Sequence, residues 1–161
     1  MKKLLGILSI ILLTLTVHAQ PAKIYNPDAD AKADIQQAVK QATTEGKHVF
    51  LQIGGNWCPW CLKFHRFVDD NQEIKDYVNA NYVVLKVNYS KENKNLDVLK
   101  SLDYPQRFGF PVFVILDGNG NRIHTQNSAY LEEDGGYSAK KVLTFYKQWS
   151  PEALDPANYN K

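Results

Sequence analysis

The sequence predicts an α/β protein with a mixed central sheet and helices on both of its faces. Amphipathic helical stretches alternate with short, mostly apolar β-branched runs, an order that demands a parallel crossover between the first two strands. A hairpin signal, Asp117-Gly118-Asn119-Gly120-Asn121, then adds an antiparallel edge. About 140 residues remain once an N-terminal export segment is set aside, which fits one domain with a single core.

That N-terminal segment reads as an address. Met1-Lys2-Lys3 is a short basic opening, Leu4 to Val17 is an almost unbroken apolar run, and Val17-His18-Ala19 has the pattern that precedes signal-peptidase cleavage. The run is shorter than the roughly 20 apolar residues of a membrane helix. Residues 1–19 are therefore expected to be a signal peptide, and the mature chain to begin near Gln20 with no membrane span. An uncleaved anchor is the alternative. The whole chain carries 19 Lys+Arg against 17 Asp+Glu, and Lys2 and Lys3 account for the difference. A balanced mature chain offers no electrostatic case for nucleic acid or anionic lipid as partner.

Each element has its own signal. Residues 20–29 read as an extended lead-in. From Asp30 to Glu45, Ala33, Ile35, Ala38, Val39 and Ala42 recur at helical spacing, and Gly46 supplies the stop. His48 to Ile53 is a short buried strand ending at Gly54-Gly55. After the cysteine motif, Leu62, Phe64, Phe67 and Val68 continue a helix to about Asp70, and Asn71 to Asn79 is a second helical piece. Tyr82 to Asn88 is the next strand, Asn95 to Leu102 a short helix, and Val112 to Leu116 a third strand. Arg122 to Gln126 pairs back through the hairpin turn. Asn127 to Tyr137 reads as a polar loop, and Ser138 as the cap of a helix running to about Trp149. The expected domain is thus 30–149, with a C-terminal tail over 150–161.

Both cysteines of the chain stand in one C-x-x-C, Cys58-Pro59-Trp60-Cys61. Exported proteins generally use Cys in structural disulfides. A bridge closing so small a loop stabilises by roughly 2 kcal/mol, against about 3 for a fifteen-residue loop, so it is a poor staple. A reactive pair is the better reading. Cys58 falls at a helix start, where free backbone N–H groups and the helix dipole favour a thiolate, the nucleophilic form. Cys61 lies one turn on, within reach of a mixed disulfide at Cys58. Pro59 suits the first helical turn because it needs no N–H partner there. Metal binding by the pair is the alternative, but a closed site takes four ligands and the chain has no other Cys. No metal and no cofactor is expected.

Trp57-Cys58-Pro59-Trp60-Cys61 after a buried strand resembles the thioredoxin active site. Phe108-Gly109-Phe110-Pro111-Val112 before a strand resembles that family's cis-proline segment. Within the thioredoxin-like superfamily the chain most resembles exported thiol–disulfide oxidoreductases such as the C-terminal domain of DsbD. These share a W-C-x-x-C followed by a charged helix and a D-N-Q-E-I type second helix. The resemblance spans roughly residues 30–149 and implies a thioredoxin fold, with Cys58 attacking and Cys61 resolving. It implies that Pro111 is cis and packs against the Cys pair, leaving the preceding backbone to hold a substrate strand, with Phe110 lining that groove. It implies that Trp57 shields the site. Trp60, between the cysteines, is expected to be exposed and to touch partners. Packing is the alternative role for Phe110 and for each Trp.

One departure from the family matters. Thioredoxins place a buried Asp on the strand before the motif as proton acceptor for the second Cys, and here that position is Gln52. Glutamine cannot titrate. His65, four residues after Cys61 and seven after Cys58, falls on the same helix face, where DsbD-like domains often have an acid. An imidazole there exchanges protons near neutral pH or stabilises a thiolate. A solvated helix residue is the alternative.

The resemblance implies a periplasmic or secreted thiol–disulfide oxidoreductase that exchanges disulfides with protein substrates, acting as a reductase. An oxidising periplasm opposes that direction unless a membrane or soluble thiol partner supplies electrons. Pro-Trp between the cysteines matches neither the Gly-Pro of common reductases nor the Pro-His of oxidases. A disulfide oxidase or isomerase is the alternative within the class. A metal-binding module and a non-catalytic thioredoxin-fold interaction protein are the alternatives outside it.

Overall fold

A computed structural model describes residues 23–160. The expected signal peptide, and residues 20–22 after it, lie outside the described residues. The elements run α1 (Ala31–Glu45), β1 (His48–Gly54), α2 (Pro59–Asp70), α3 (Gln72–Asn81), β2 (Tyr82–Asn88), α4 (Leu96–Ser101), β3 (Val112–Leu116), β4 (Arg122–Asn127), β5 (Glu132–Glu133), β6 (Gly136–Tyr137) and α5 (Ala139–Gln148).

The main sheet has the order β2-β1-β3-β4. β1 pairs parallel with β2 through the α2–α3 crossover, Gln52 standing beside Lys86 and Gly54 beside Asn88. β3 runs antiparallel to both β1 and β4. The strand period of two sorts the side chains of β1 onto opposite faces. Val49, Leu51 and Ile53 meet Val112, Val114 and Leu116 of β3 under α1 and α4, in a layer that is almost wholly aliphatic. Phe50 faces the other way and meets Phe113, Phe64 of α2, Ile74 of α3 and Tyr146 of α5 in an aromatic layer. Gln52 and Gly54 share the face of Phe50. Helices thus cover both faces, as the alternating order requires.

Local chemistry explains the helix ends. Asp30 caps α1, its carboxylate accepting from the Lys32 and Ala33 N–H groups, and Gly46 closes it in a left-handed conformation (φ 64°). Asn71 ends α2 and starts α3, its side-chain oxygen accepting from the Ile74 N–H at 3.1 Å.

Two expectations are corrected, and the tail gains detail. Residues 127–137 are not merely a polar loop. They hold a 3-10 turn over Ser128–Leu131 and the small β5–β6 hairpin, which delivers Tyr137 to the aromatic layer. Ser138 stands at the N-cap of α5 but makes no side-chain capping bond; its backbone carbonyl accepts from the Val142 N–H instead. The tail carries two short 3-10 turns, Glu152–Leu154 and Pro156–Asn158.

Candidate active site

β1 ends in Gly54-Gly55 and the chain turns at once into α2, with the Cys58 N–H bonded to the Gly55 carbonyl. Cys58 is the N-cap of α2 in an extended conformation, and its sulfur accepts from the Cys61 N–H at 3.2 Å. The sulfur therefore occupies the place of a capping oxygen, where free N–H groups and the helix dipole favour negative charge. Pro59 follows as the first helical residue. Cys58 and Cys61 form a disulfide with Cα atoms 5.3 Å apart. Cys58 is 3% exposed and Cys61 wholly buried, so Cys58 is the member nearer solvent.

The site is tight because its floor has no side chain. A Cβ placed on Gly54 would stand 2.4 Å from the Cys61 sulfur, closer than any real contact. One placed on Gly55 would stand 2.7 Å from the Tyr89 carbonyl. Both glycines are required by close approach rather than by turn conformation.

Phe110 and Pro111 arrive from the loop before β3, joined by a cis peptide bond. Pro111 is buried and Phe110 half-buried, packed against the disulfide. Phe110 stacks on Tyr89 with ring centroids 4.6 Å apart and takes the edge of Trp57 at 5.6 Å. The Trp57 indole N–H donates to the Tyr89 carbonyl at 2.6 Å, yet the residue is 55% exposed. Trp57, Phe110 and Tyr89 make an aromatic ledge beside Cys58.

Of the two tryptophans, one departs from its expected setting. Trp57 lies more than half exposed on the ledge, set against Phe110 beside the disulfide. Trp60 is half-buried rather than exposed, its ring set edge-on to Tyr137 of β6 at 5.5 Å under the Lys63 ammonium at 4.3 Å. Pro59 takes the outward position at the helix start, and the next residue turns toward the hairpin. The sequence cannot show this, because the hairpin that covers Trp60 is remote in the chain.

Gln52 stands behind Cys61. It is 2% exposed, and its amide nitrogen donates to the Cys61 carbonyl at 3.0 Å and to the Tyr25 hydroxyl at 2.8 Å. Tyr25 is a residue that sequence reasoning passes over inside the lead-in. It is 2% exposed and packs directly with Cys58 and Cys61. Asn56, two residues before Cys58, holds it there. The Asn56 side chain accepts from the N–H groups of Ile24 and Tyr25 and donates to the Tyr25 carbonyl. An Asn before the motif and an aromatic in the lead-in were the only sequence traces of this contact.

His65 is placed elsewhere than between the cysteines. Its Nε2 lies 3.3 Å from the Asp69 carboxylate, one turn along α2. Together with Gln52, Asp69, Lys75 and Lys86 it lines a cleft of about 170 Å³, which neither cysteine lines. Partial burial, and then the nearby Lys86 ammonium, hold the His65 pKa below its ordinary value, against the opposing pull of Asp69. Burial likewise lowers the Lys86 pKa. Gln52 is the residue common to both settings, lining the cleft and holding the Cys61 backbone. Among the described residues, no group of three or more His, Cys, Asp and Glu side chains is arranged to hold a metal ion.

Comparison with known proteins agrees with this geometry. The model of a family described as thioredoxin-like matches residues 30–118. Over 92 residues the chain is 22% identical to the thiol:disulfide interchange protein DsbD of Vibrio cholerae, covering 56% of this chain and 15% of DsbD. The chain thus spans about a seventh of that relative's length. A disulphide isomerase from Xylella fastidiosa superposes with a TM-score of 0.70 at 21% identity, over 79% of this chain and 96% of that one. The oxidised C-terminal domain of DsbD from Neisseria meningitidis superposes with a TM-score of 0.52 at 18% identity, over 73% and 94%. At such identities the superpositions speak for the fold, while the family match covers more than half of the chain. With a C-x-x-C disulfide capping the first helix after a buried strand, the chain belongs to the thioredoxin-like family.

Proposed function

We propose that the protein is exported, works in the periplasm or outside the cell, and exchanges disulfides with protein substrates as a reductant. The observation that carries the disulfide exchange is the Cys58 sulfur at the N-cap of α2, the more accessible end of the disulfide, beside an exposed aromatic ledge. In the reduced protein the Cys58 thiolate attacks a substrate disulfide, and one substrate sulfur leaves as thiolate. Cys61 then attacks the Cys58 sulfur, restoring the internal disulfide and releasing the second substrate sulfur. Trp57 and Phe110 offer flat apolar surface to an extended chain, and Pro111 seats that segment against the pair. Trp60 serves by packing the hairpin onto α2. His65 takes the proton-exchange role for Cys61 once the pair is reduced, from the cleft whose wall includes Gln52, the residue bonded to the Cys61 carbonyl. The reductant direction rests on the likeness to DsbD, and electrons then come from a membrane or soluble thiol partner. Among the described residues, no helix is long and apolar enough to cross a membrane.

Reduction of insulin by the protein with a dithiol donor tests the reading. The expected result is turnover that Cys58→Ser abolishes, with a reduction potential near the roughly −270 mV of thioredoxin. A potential near the about −120 mV of DsbA reverses the direction. The absence of turnover by the unaltered protein overturns the catalytic reading, and an unchanged pH profile in His65→Ala removes the role given to His65.

A further inference from the structure

The lead-in segment puts a second polar group against the resolving cysteine. Cys61 has lost the acid that the family places behind it, since Gln52 fills that position. Yet the Cys61 sulfur and the Tyr25 hydroxyl converge on the space that Gly54 leaves open. A Cβ on Gly54 would stand 2.4 Å from the one and 3.0 Å from the other.

We propose that the Tyr25 hydroxyl is a hydrogen-bond donor to the Cys61 sulfur once the disulfide opens, and that it stabilises the Cys61 thiolate for the resolving step. The proposal rests on the exchange chemistry given above and names a residue that takes part in it. The direction of the hydrogen bonds supports it. The Gln52 amide nitrogen faces the Cys61 carbonyl, which only accepts, so the amide orientation is set. The same nitrogen therefore donates to the Tyr25 oxygen, and the phenol keeps its own proton for another acceptor. Among the described residues no nitrogen or oxygen takes that proton. The Cys61 sulfur is in the same small cluster.

Burial also keeps the phenol in its donor form. Desolvation pushes the Tyr25 pKa well above its ordinary value, so the group stays protonated wherever thiol exchange runs. Tyr25 is accordingly no base. Cys61 gives its proton to His65, in the role proposed above, before attack. The thiolate then forms the Cys61–Cys58 bond as the Cys58–substrate bond breaks, and the substrate sulfur leaves with the electron pair and takes a proton from solvent. Tyr25 keeps its proton throughout. The other titratable groups nearby are Cys58 at the N-cap of α2 and Tyr137 on β6, with His65 on α2 and Lys86 on β2 in the cleft that Gln52 also lines. The three bonds from Asn56 hold the backbone of the lead-in so that the phenol enters the site in one position.

Titration of Cys61 in a Cys58→Ser background, followed by thiolate ultraviolet absorbance, tests the role without any substrate. Adding Tyr25→Phe removes one hydroxyl and keeps the ring. A hydrogen bond to a charged acceptor predicts about a tenfold loss of Cys61 thiolate at neutral pH, with the titration midpoint moving upward by about 1. An unchanged midpoint in folded Tyr25→Phe overturns the proposal. A second readout needs no change at Tyr25. In the Cys58→Ser protein carrying carbon-13 tyrosine, the ring carbon bonded to the Tyr25 oxygen is expected to shift with the Cys61 midpoint. A resonance that ignores the Cys61 titration also overturns it. Both readouts are independent of insulin turnover, so this proposal and the proposed function fail separately.

Discussion

Gly54 shows how much one residue decides at this site. Its missing side chain admits the Cys61 sulfur and the Tyr25 hydroxyl to the end of β1, and no rotamer choice could make the same room. Gly54→Ala is expected to destabilise the oxidised protein by about 1–3 kcal/mol through overpacking, because the atom in the way is bonded into a buried disulfide and has little freedom to move. Urea unfolding of the two oxidised proteins measures it, and equal midpoints contradict the close approach. At this scale the sequence told part of the story. The C-x-x-C was legible as a local pattern, while Gln52 in place of an acid and the Phe110-Pro111 segment were legible through the resemblance to the family. The Tyr25 contact was not, since a Tyr in a stretch without periodicity carries no mark of what it touches. His65 shared a helix face with Cys61 by spacing, but the structure pairs it with Asp69 and turns it to the Lys86 cleft.

Elements were read well where a period or a cap was present and poorly where neither was. Asp30 and Gly46 bracket α1 as a cap and a stop should, and Asn71 marks the break between α2 and α3. That break rests on one residue serving two helices, its backbone N–H donating to the Val68 carbonyl at the end of α2 and its side chain accepting from the Ile74 N–H at the start of α3. Asn71→Ala is expected to cost about 1 kcal/mol, the usual loss for an N-cap, while Asn71→Asp keeps the accepting oxygen and most of the stability. Thermal unfolding of the pair checks this, and equal losses in both variants argue against the cap. The β5–β6 hairpin escaped the sequence because two residues per strand are too few for any alternation to show. Its position comes from Tyr137, which lies edge-on to Phe64 and Trp60. Ser138 has the residue type of a cap but no capping bond, a reminder that residue preference at a helix start is a tendency.

Across the whole molecule, the sheet divides an aliphatic layer from an aromatic one, and polar groups sit at the margins of both. Two histidines there make stability depend on pH. Partial burial holds His65 and His124 below their ordinary pKa, His124 lying flat on Trp149 at 4.1 Å. The folded protein therefore binds fewer protons than the unfolded chain as pH falls past about 6.5, and stability is lost from there down through the folded-state values. The acids with lowered pKa, Glu45, Glu92, Asp117 and Glu133, have ordinary values of 4.5 or below and act only under that window. The thermal midpoint is expected to drop between pH 7 and pH 5, and less steeply in His65→Gln. A flat profile over that range contradicts the assignment.

By itself the sequence determined the order of the elements other than the β5–β6 hairpin, the mixed sheet and the C-x-x-C pair at a helix start. Hydrophobic period, caps and the C-x-x-C spacing are all written within a few neighbouring residues. Only the tertiary structure decided which groups surround the disulfide. It brought Tyr25 from the lead-in, Gln52 from β1, Phe110 from the loop before β3 and Tyr137 from a hairpin to within reach of two adjacent turns of chain. Those contacts join residues far apart in the chain, and they follow from close packing of the two faces rather than from any local preference.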